Sequence, residues 1–136
     1  MPDQSRPLTP GAYIKQRRCF AMLSVRDVAA RLATEPRVAE HARADWLELI
    51  EADAAPMTLT SVAALRSVFS FDVHVLLQLS ALHLGIDVPA PRLCRICACS
   101  EQDACVDPVG GVRVNCHWVD EDLCSACGGE PVQAVA

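Results

Sequence analysis

Aromatic side chains are scarce in this chain: two Trp, one Tyr and three Phe serve all 136 residues. A core of stacked rings is thereby excluded. The abundance of Ala, Val and Leu points instead to a small helical core of aliphatic side chains. Long apolar runs are also missing, none reaching the roughly 18 residues of a bilayer-crossing helix, so no membrane partner is expected. The start, M-P-D-Q-S-R-P-L-T-P, lacks the basic-then-apolar layout of a secretory signal. A cytoplasmic protein is the expectation, and a reducing cytosol turns clustered cysteines towards metal and away from disulfides. No nucleophile–base pair, phosphate-cradling loop or open metal site can be read from the spacing, so an enzyme is not expected.

Basic residues are in deficit overall, giving a formal net charge of −5, yet the deficit is uneven. Residues 1–46 carry +3, residues 47–93 carry −3 and residues 94–136 carry −5. The basic first third suits a polyanion-facing surface, whereas the acidic last third is poorly suited to gripping phosphate by itself.

What the chain has in excess is cysteine, and seven of its eight fall in one stretch: Cys94, Cys97, Cys99, Cys105, Cys116, Cys124 and Cys127. The stretch opens with C-R-I-C and closes with C-S-A-C. A C-x-x-C turn aims two thiolates at one ion, so two such turns complete a tetrahedral shell without a large core. Cys94, Cys97, Cys124 and Cys127 are therefore the expected ligands of a structural metal. Such a closed site leaves no position for hydrolytic chemistry, and supplies folding energy to a segment poor in large apolar residues. Small residues in and after the second turn (Ser125, Ala126, Gly128, Gly129) allow backbone N–H groups to approach sulfur. Trp118, Val112 and Val114 are the expected miniature core beside it. Cys99, Cys105 and Cys116, with His117 next to the last, make a possible second metal or redox site. Cys116 and His117 point apart in an extended chain and do not easily share an ion. One or two zinc ions, an iron–sulfur cluster, or partly paired and free thiols all remain open.

Upstream, Thr9-Pro10 reads as a cap and first helical position, opening a helix that runs to about Leu23. Ser24 with Asp27 forms a capping box before Val25, Val28, Ala29 and Leu32. Pro36 is expected to open a third helix with an apolar stripe of Val38, Ala42, Trp46, Leu49 and Ile50. A fourth starts near Thr58 or Thr60. Asp72 caps a fifth, which ends at Gly85. Cys19 reads as a small buried residue of the first helix, and Trp46 as core. His74 and His83 read as packed or surface histidines. Pro89-Ala90-Pro91 is a stiff spacer, and the chain from about Pro131 a loose tail. The expected architecture is mainly α: a five-helix domain over 9–86, a linker over 87–93 and a cysteine-rich metal-binding module over 94–130.

The run Tyr13-Ile14-Lys15-Gln16-Arg17-Arg18, then Ser24-Val25-Arg26-Asp27-Val28-Ala29, then Leu47-Glu48-Leu49-Ile50-Glu51 resembles the Cro/C1-type (lambda repressor-like) helix-turn-helix family. The resemblance spans roughly residues 9–84, including a closing helix from Phe71 to Leu82. It implies double-stranded DNA as partner, with Arg17, Arg18 and Arg26 as phosphate contacts and Arg37 and Arg43 as candidates for base edges. The family usually reaches its I-E signal in a shorter span through a glycine-containing turn. Here no glycine lies between Ala29 and Glu51, so the recognition helix is lengthened or displaced. The stretch C-R-I-C-A-C through C-H-W-V-D-E-D-L-C-S-A-C resembles cysteine-rich tails of bacterial and phage proteins, of the zinc ribbon or knuckle kind. Ala98 and Ser100 stand where those tails often have Gly and Thr.

Together these readings point to a DNA-binding transcriptional regulator with a zinc-stabilised tail that contacts protein, either a second copy of the chain or another partner. Two alternatives stand beside it. One is an interaction adaptor that has lost DNA readout. The other is an iron–sulfur or redox-sensing regulator.

Overall fold

Thr9 starts the first helix, α1 (Pro10–Phe20), by accepting the Ala12 N–H on its hydroxyl at 3.1 Å. Pro10 then fills a position whose N–H would have no intrahelical partner. These facts come from a computed structural model, which describes residues 7–34, 36–109 and 112–128. Expectations for Gly129, for the tail from Pro131 and for the side chain of Val112 lie outside the described residues. The chain divides into two units between Pro91 and Arg92.

In the first unit every helix start rests on a local side-chain cap except one. α2 (Val25–Arg31) opens on a reciprocal capping box. Ser24 Oγ accepts the Asp27 N–H at 3.0 Å, and Asp27 Oδ2 accepts the Ser24 N–H at 2.8 Å. α4 (Leu59–Arg66) is capped by Thr58, and α5 (Val73–His83) by Asp72, whose Oδ1 accepts two N–H groups. The exception is α3 (Glu40–Glu51), which follows Ala39 with no side-chain cap. It begins well after Pro36, the expected start. Thr34 Oγ1 takes the Val38 N–H at 3.0 Å, which holds that stretch in a loop and leaves Val38 exposed.

Three helices stop in the same way. After α1, α3 and α5 the chain enters the left-handed region at Met22 (φ 63°), Asp53 (φ 59°) and Gly85 (φ 83°). The next residue's N–H returns to the helix: Leu23 to Arg18, Ala54 to Leu49 and Ile86 to Ala81. These are Schellman endings, and they bring α1 to a close at Phe20, short of the expected Leu23.

Tyr13 and Ile14 of α1, Val28 and Ala29 of α2, and Leu47 and Ile50 of α3 are buried, as are Leu65, Phe71 and Leu79. α1 packs on α3 and α5, and α2 on α3. Tyr13 ties α1 to the start of α5 by accepting the Asp72 N–H at 2.8 Å. Gly11 lets α1 meet the end of α3. A Cβ there would lie 2.4 Å from the Ile50 carbonyl oxygen, and the Asp53 carboxylate accepts the Gly11 N–H at 2.8 Å. Three expected core residues are corrected, the first being Leu49, which is 49% exposed on α3. Trp46 is only partly buried, because Arg43, Leu47 and Ile50 form the covered face of α3. Cys19 is exposed, lying beside neither Ile14 nor Tyr13 on the buried side of α1.

The second unit is built on short pairings. β1 (Val106–Val109) runs antiparallel to β2 (Val112–Asn115), with Val109 opposite Val112. β3 (Trp118–Asp120) pairs irregularly with β4 (Leu123–Cys124), and α6 (Ser125–Gly128) follows at once. The buried interior consists of Cys94, Cys97, Cys99, Cys105 and Cys124, with Trp118 and Leu123 packed against them. Of the small core expected beside the sulfurs, Trp118 is in place and Val114 is exposed. Among the described residues no helix is long and apolar enough to cross a membrane.

Candidate metal centre

The two C-x-x-C turns converge because the segments around them are tied together. Cys94 and Ala98 close the first turn, with the Ala98 N–H donating to the Cys94 carbonyl at 2.8 Å and the Cys94 N–H to Cys99 at 3.1 Å. Ala98 is buried at φ 60°, which accounts physically for a position where glycine fits more easily. The Arg95 N–H donates to the Asp122 carbonyl at 2.8 Å, and the two side chains form an ion pair. Arg92 reinforces this join. Its Nε donates to the Glu121 carbonyl at 2.7 Å, and its guanidinium lies 4.3 Å over the Trp118 ring. The second turn is positioned by β4 and α6, with His117 and Ser125 exchanging hydrogen bonds at its base.

Cys94, Cys97, Cys124 and Cys127 present four sulfurs within 4.8 Å of one another, so the four expected ligands come together and can hold a metal ion. None of the cysteines is in a disulfide. The donor set fits a soft, four-coordinate ion: sulfur alone, in a site where three of the four residues are buried. Backbone N–H groups of Cys97, Cys124 and Ile96 are aimed at the Cys94 sulfur.

The thiols divide electrostatically. Burial pushes Cys97, Cys99, Cys105 and Cys127 up from the ordinary thiol range. At Cys94 burial acts the same way but is outweighed by the N–H donors, and the thiol is lowered. At Cys124 burial is outweighed by the Cys127 N–H and by neighbouring thiols, which bring it down to about 6. One sulfur of each turn is thus poised to ionise first, and an incoming cation would displace protons from the rest.

The possible second site is rearranged. Cys99 and Cys105 group with Cys97 and Cys124, again within 4.8 Å. Cys116 lies 3.8 Å from Cys99, sulfur to sulfur, and accepts the Cys105 N–H at 3.2 Å. His117 is exposed and belongs to neither group, and its N–H donates to Ser125 Oγ at 3.0 Å. A cavity of about 190 Å³, lined in part by Cys99, Cys116, Cys124, His117 and Glu101, lies beside these sulfurs.

The arginines nominated for DNA do not stay together. Arg26 and Arg37 are exposed. Arg17, Arg18 and Arg43 are buried, at 6%, 7% and 4% exposure, so they are not free to reach a duplex as expected. Arg18 Nε and Nη2 grip both carboxylate oxygens of Glu51, at 2.6 and 2.8 Å, and Nη1 donates to the Leu23 carbonyl at 2.8 Å. That carboxylate raises the guanidinium's pKa further. Arg17 lies 5.4 Å from the Phe20 ring centre, and Arg43 Nε and Nη1 have no hydrogen-bond partner among the described residues. Arg17 and Arg18 stand four residues after the buried Tyr13 and Ile14, so the helical period was one signal of their burial and the carboxylate of Glu51 another.

Comparison with protein families, with curated proteins and with solved structures finds no match to this chain.

Proposed function

We propose that the chain is a DNA-binding regulator: a Cro/C1-like helix-turn-helix unit joined to a unit stabilised by zinc. The observation that carries this reading is the Arg18–Glu51 pair. The basic first helix and the I-E end of the third mark the resemblance from opposite sides, and they meet in one two-pronged ion pair. Capped α2 packs on the same α3.

Two exposed groups then carry phosphate contact: Arg26 on α2 and Arg37 in the loop before α3, with Lys15 and Arg31 exposed nearby in sequence. The exposed side of α3 holds Glu40, Asp45 and Glu48, which phosphate would repel, so α2 and the loop face the duplex. The outer four thiolates would hold zinc, which supplies folding energy and no reaction. The assay is duplex binding by the full chain as a function of salt. Affinity should fall steeply, and Arg26→Ala and Arg37→Ala should each reduce the salt slope by about one unit without loss of helicity. Binding that is absent or indifferent to salt overturns the reading.

A second reading, a protein-interaction adaptor, has its own support. Alongside the acidic side of α3, Val73, Leu77 and Leu84 are exposed at positions that share one face of α5. Capture of a defined protein partner that is lost on Leu77→Asp, with no DNA protection, favours the adaptor.

A further inference from the structure

The two cysteine groups are not separate: Cys97 and Cys124 belong to both. We infer that the second unit holds two metal ions in one dinuclear thiolate cluster, with Cys97 and Cys124 as bridging ligands. Cys94 and Cys127 complete the first ion's shell, and Cys99 and Cys105 the second's. This rests on the reading that the outer four thiols bind zinc, and goes beyond it in ion number and in which sulfurs are shared.

Ligand arithmetic demands the sharing. Two four-coordinate ions need eight ligand positions, and the unit has seven cysteines. His117 does not fill the gap, since it is exposed and lies in neither group. Two shared sulfurs reduce the requirement to six, which is the number in the two groups combined. Distances agree. Metal–sulfur bonds of about 2.3 Å in a tetrahedron set its edges at about 3.8 Å. Cys97 and Cys124, the edge common to both groups, are 3.8 Å apart, and Cys97 and Cys105 are 3.7 Å apart.

Electrostatics favours sharing as well. Cys97, Cys99 and Cys124 are at most 1% exposed, and uncompensated thiolates there would be costly. A bridging thiolate answers two cations at once. Cys116 lies in neither group, although its sulfur is 3.8 Å from that of Cys99 and accepts the Cys105 N–H.

The test is cadmium substitution of the full reduced chain, read by elemental analysis and cadmium NMR. Two ions per chain are expected, giving two resonances with scalar coupling through the shared sulfurs. Cys99→Ala should drop the count from two to one and leave a single uncoupled resonance. Cys116→Ala should keep two ions and their coupling. Fluorescence of Trp118, which packs against the cysteines, checks that the second unit of each variant is folded. One ion per wild-type chain overturns the dinuclear cluster and leaves the single zinc site standing, whereas no bound metal overturns both. Two ions without coupling, or loss of the second ion in Cys116→Ala, overturns the bridging assignment. Acid-labile sulfide in the protein as isolated does so too, because inorganic sulfur would then be the bridge.

Discussion

Replacing Arg18 by alanine separates its two possible roles, phosphate contact and internal clamp. The substitution removes two hydrogen bonds to Glu51 and one to the Leu23 carbonyl, which belongs to the turn that ends α1. Glu51, whose side chain is only 7% exposed, loses its cationic partner. Breaking a buried ion pair from one side costs about 3–5 kcal/mol, because the remaining charge stays desolvated. Both groups retain some contact with water, so the lower end, about 3 kcal/mol, is expected here. For a helical unit of this size that corresponds to a fall in Tm of roughly 12–24 °C. Urea unfolding of the metal-loaded chain, followed by far-UV circular dichroism, measures it. The double variant Arg18→Met/Glu51→Leu should recover to within about 1 kcal/mol of the parent, since no charge is then left buried. A single Arg18→Ala change that moves stability by less than about 0.5 kcal/mol, while weakening duplex binding, would refute the clamp and restore the phosphate contact.

Two further outcomes follow from the packing and the sulfurs. Gly11→Ala should destabilise the helical unit by about 2 kcal/mol, since the new methyl group meets backbone oxygens of Ile50 and Glu51 that cannot rotate away; an unchanged urea midpoint would contradict the close approach of α1 and α3. Removing metal with a strong chelator should unfold the second unit and shift Trp118 fluorescence while the α1–α5 helical signal persists, because cysteines form most of that unit's buried interior; a Trp118 environment indifferent to chelation would show that the unit folds without metal.

Local chemistry was legible in sequence wherever a side chain reaches backbone only two or three residues away. Thr9, Ser24 with Asp27, Thr58 and Asp72 cap the helices that their patterns announce, and Gly85 ends α5. The failures have equally specific causes. Met22 and Asp53 stand in left-handed positions that carry no glycine, so the end of α1 left no mark. In the loop before α3 the helical period of the sequence continues through Val38, although the helix itself starts at Glu40. The competing Thr34–Val38 hydrogen bond is a choice between two local structures that tertiary packing decides.

By itself the sequence determined the mainly helical first unit, the cysteine-rich second one and the pairing of two C-x-x-C turns. Each of those depends on spacing along the chain, and spacing survives without coordinates. Only the tertiary structure decided the rest. It turned Arg17, Arg18 and Arg43 inward, left Arg26 and Arg37 outside, and placed Cys97 and Cys124 in both sulfur groups. Burial and ligand sharing are relations between residues far apart in the chain. Arg18 meets Glu51, and Cys97 meets Cys124, only once helices pack and turns converge.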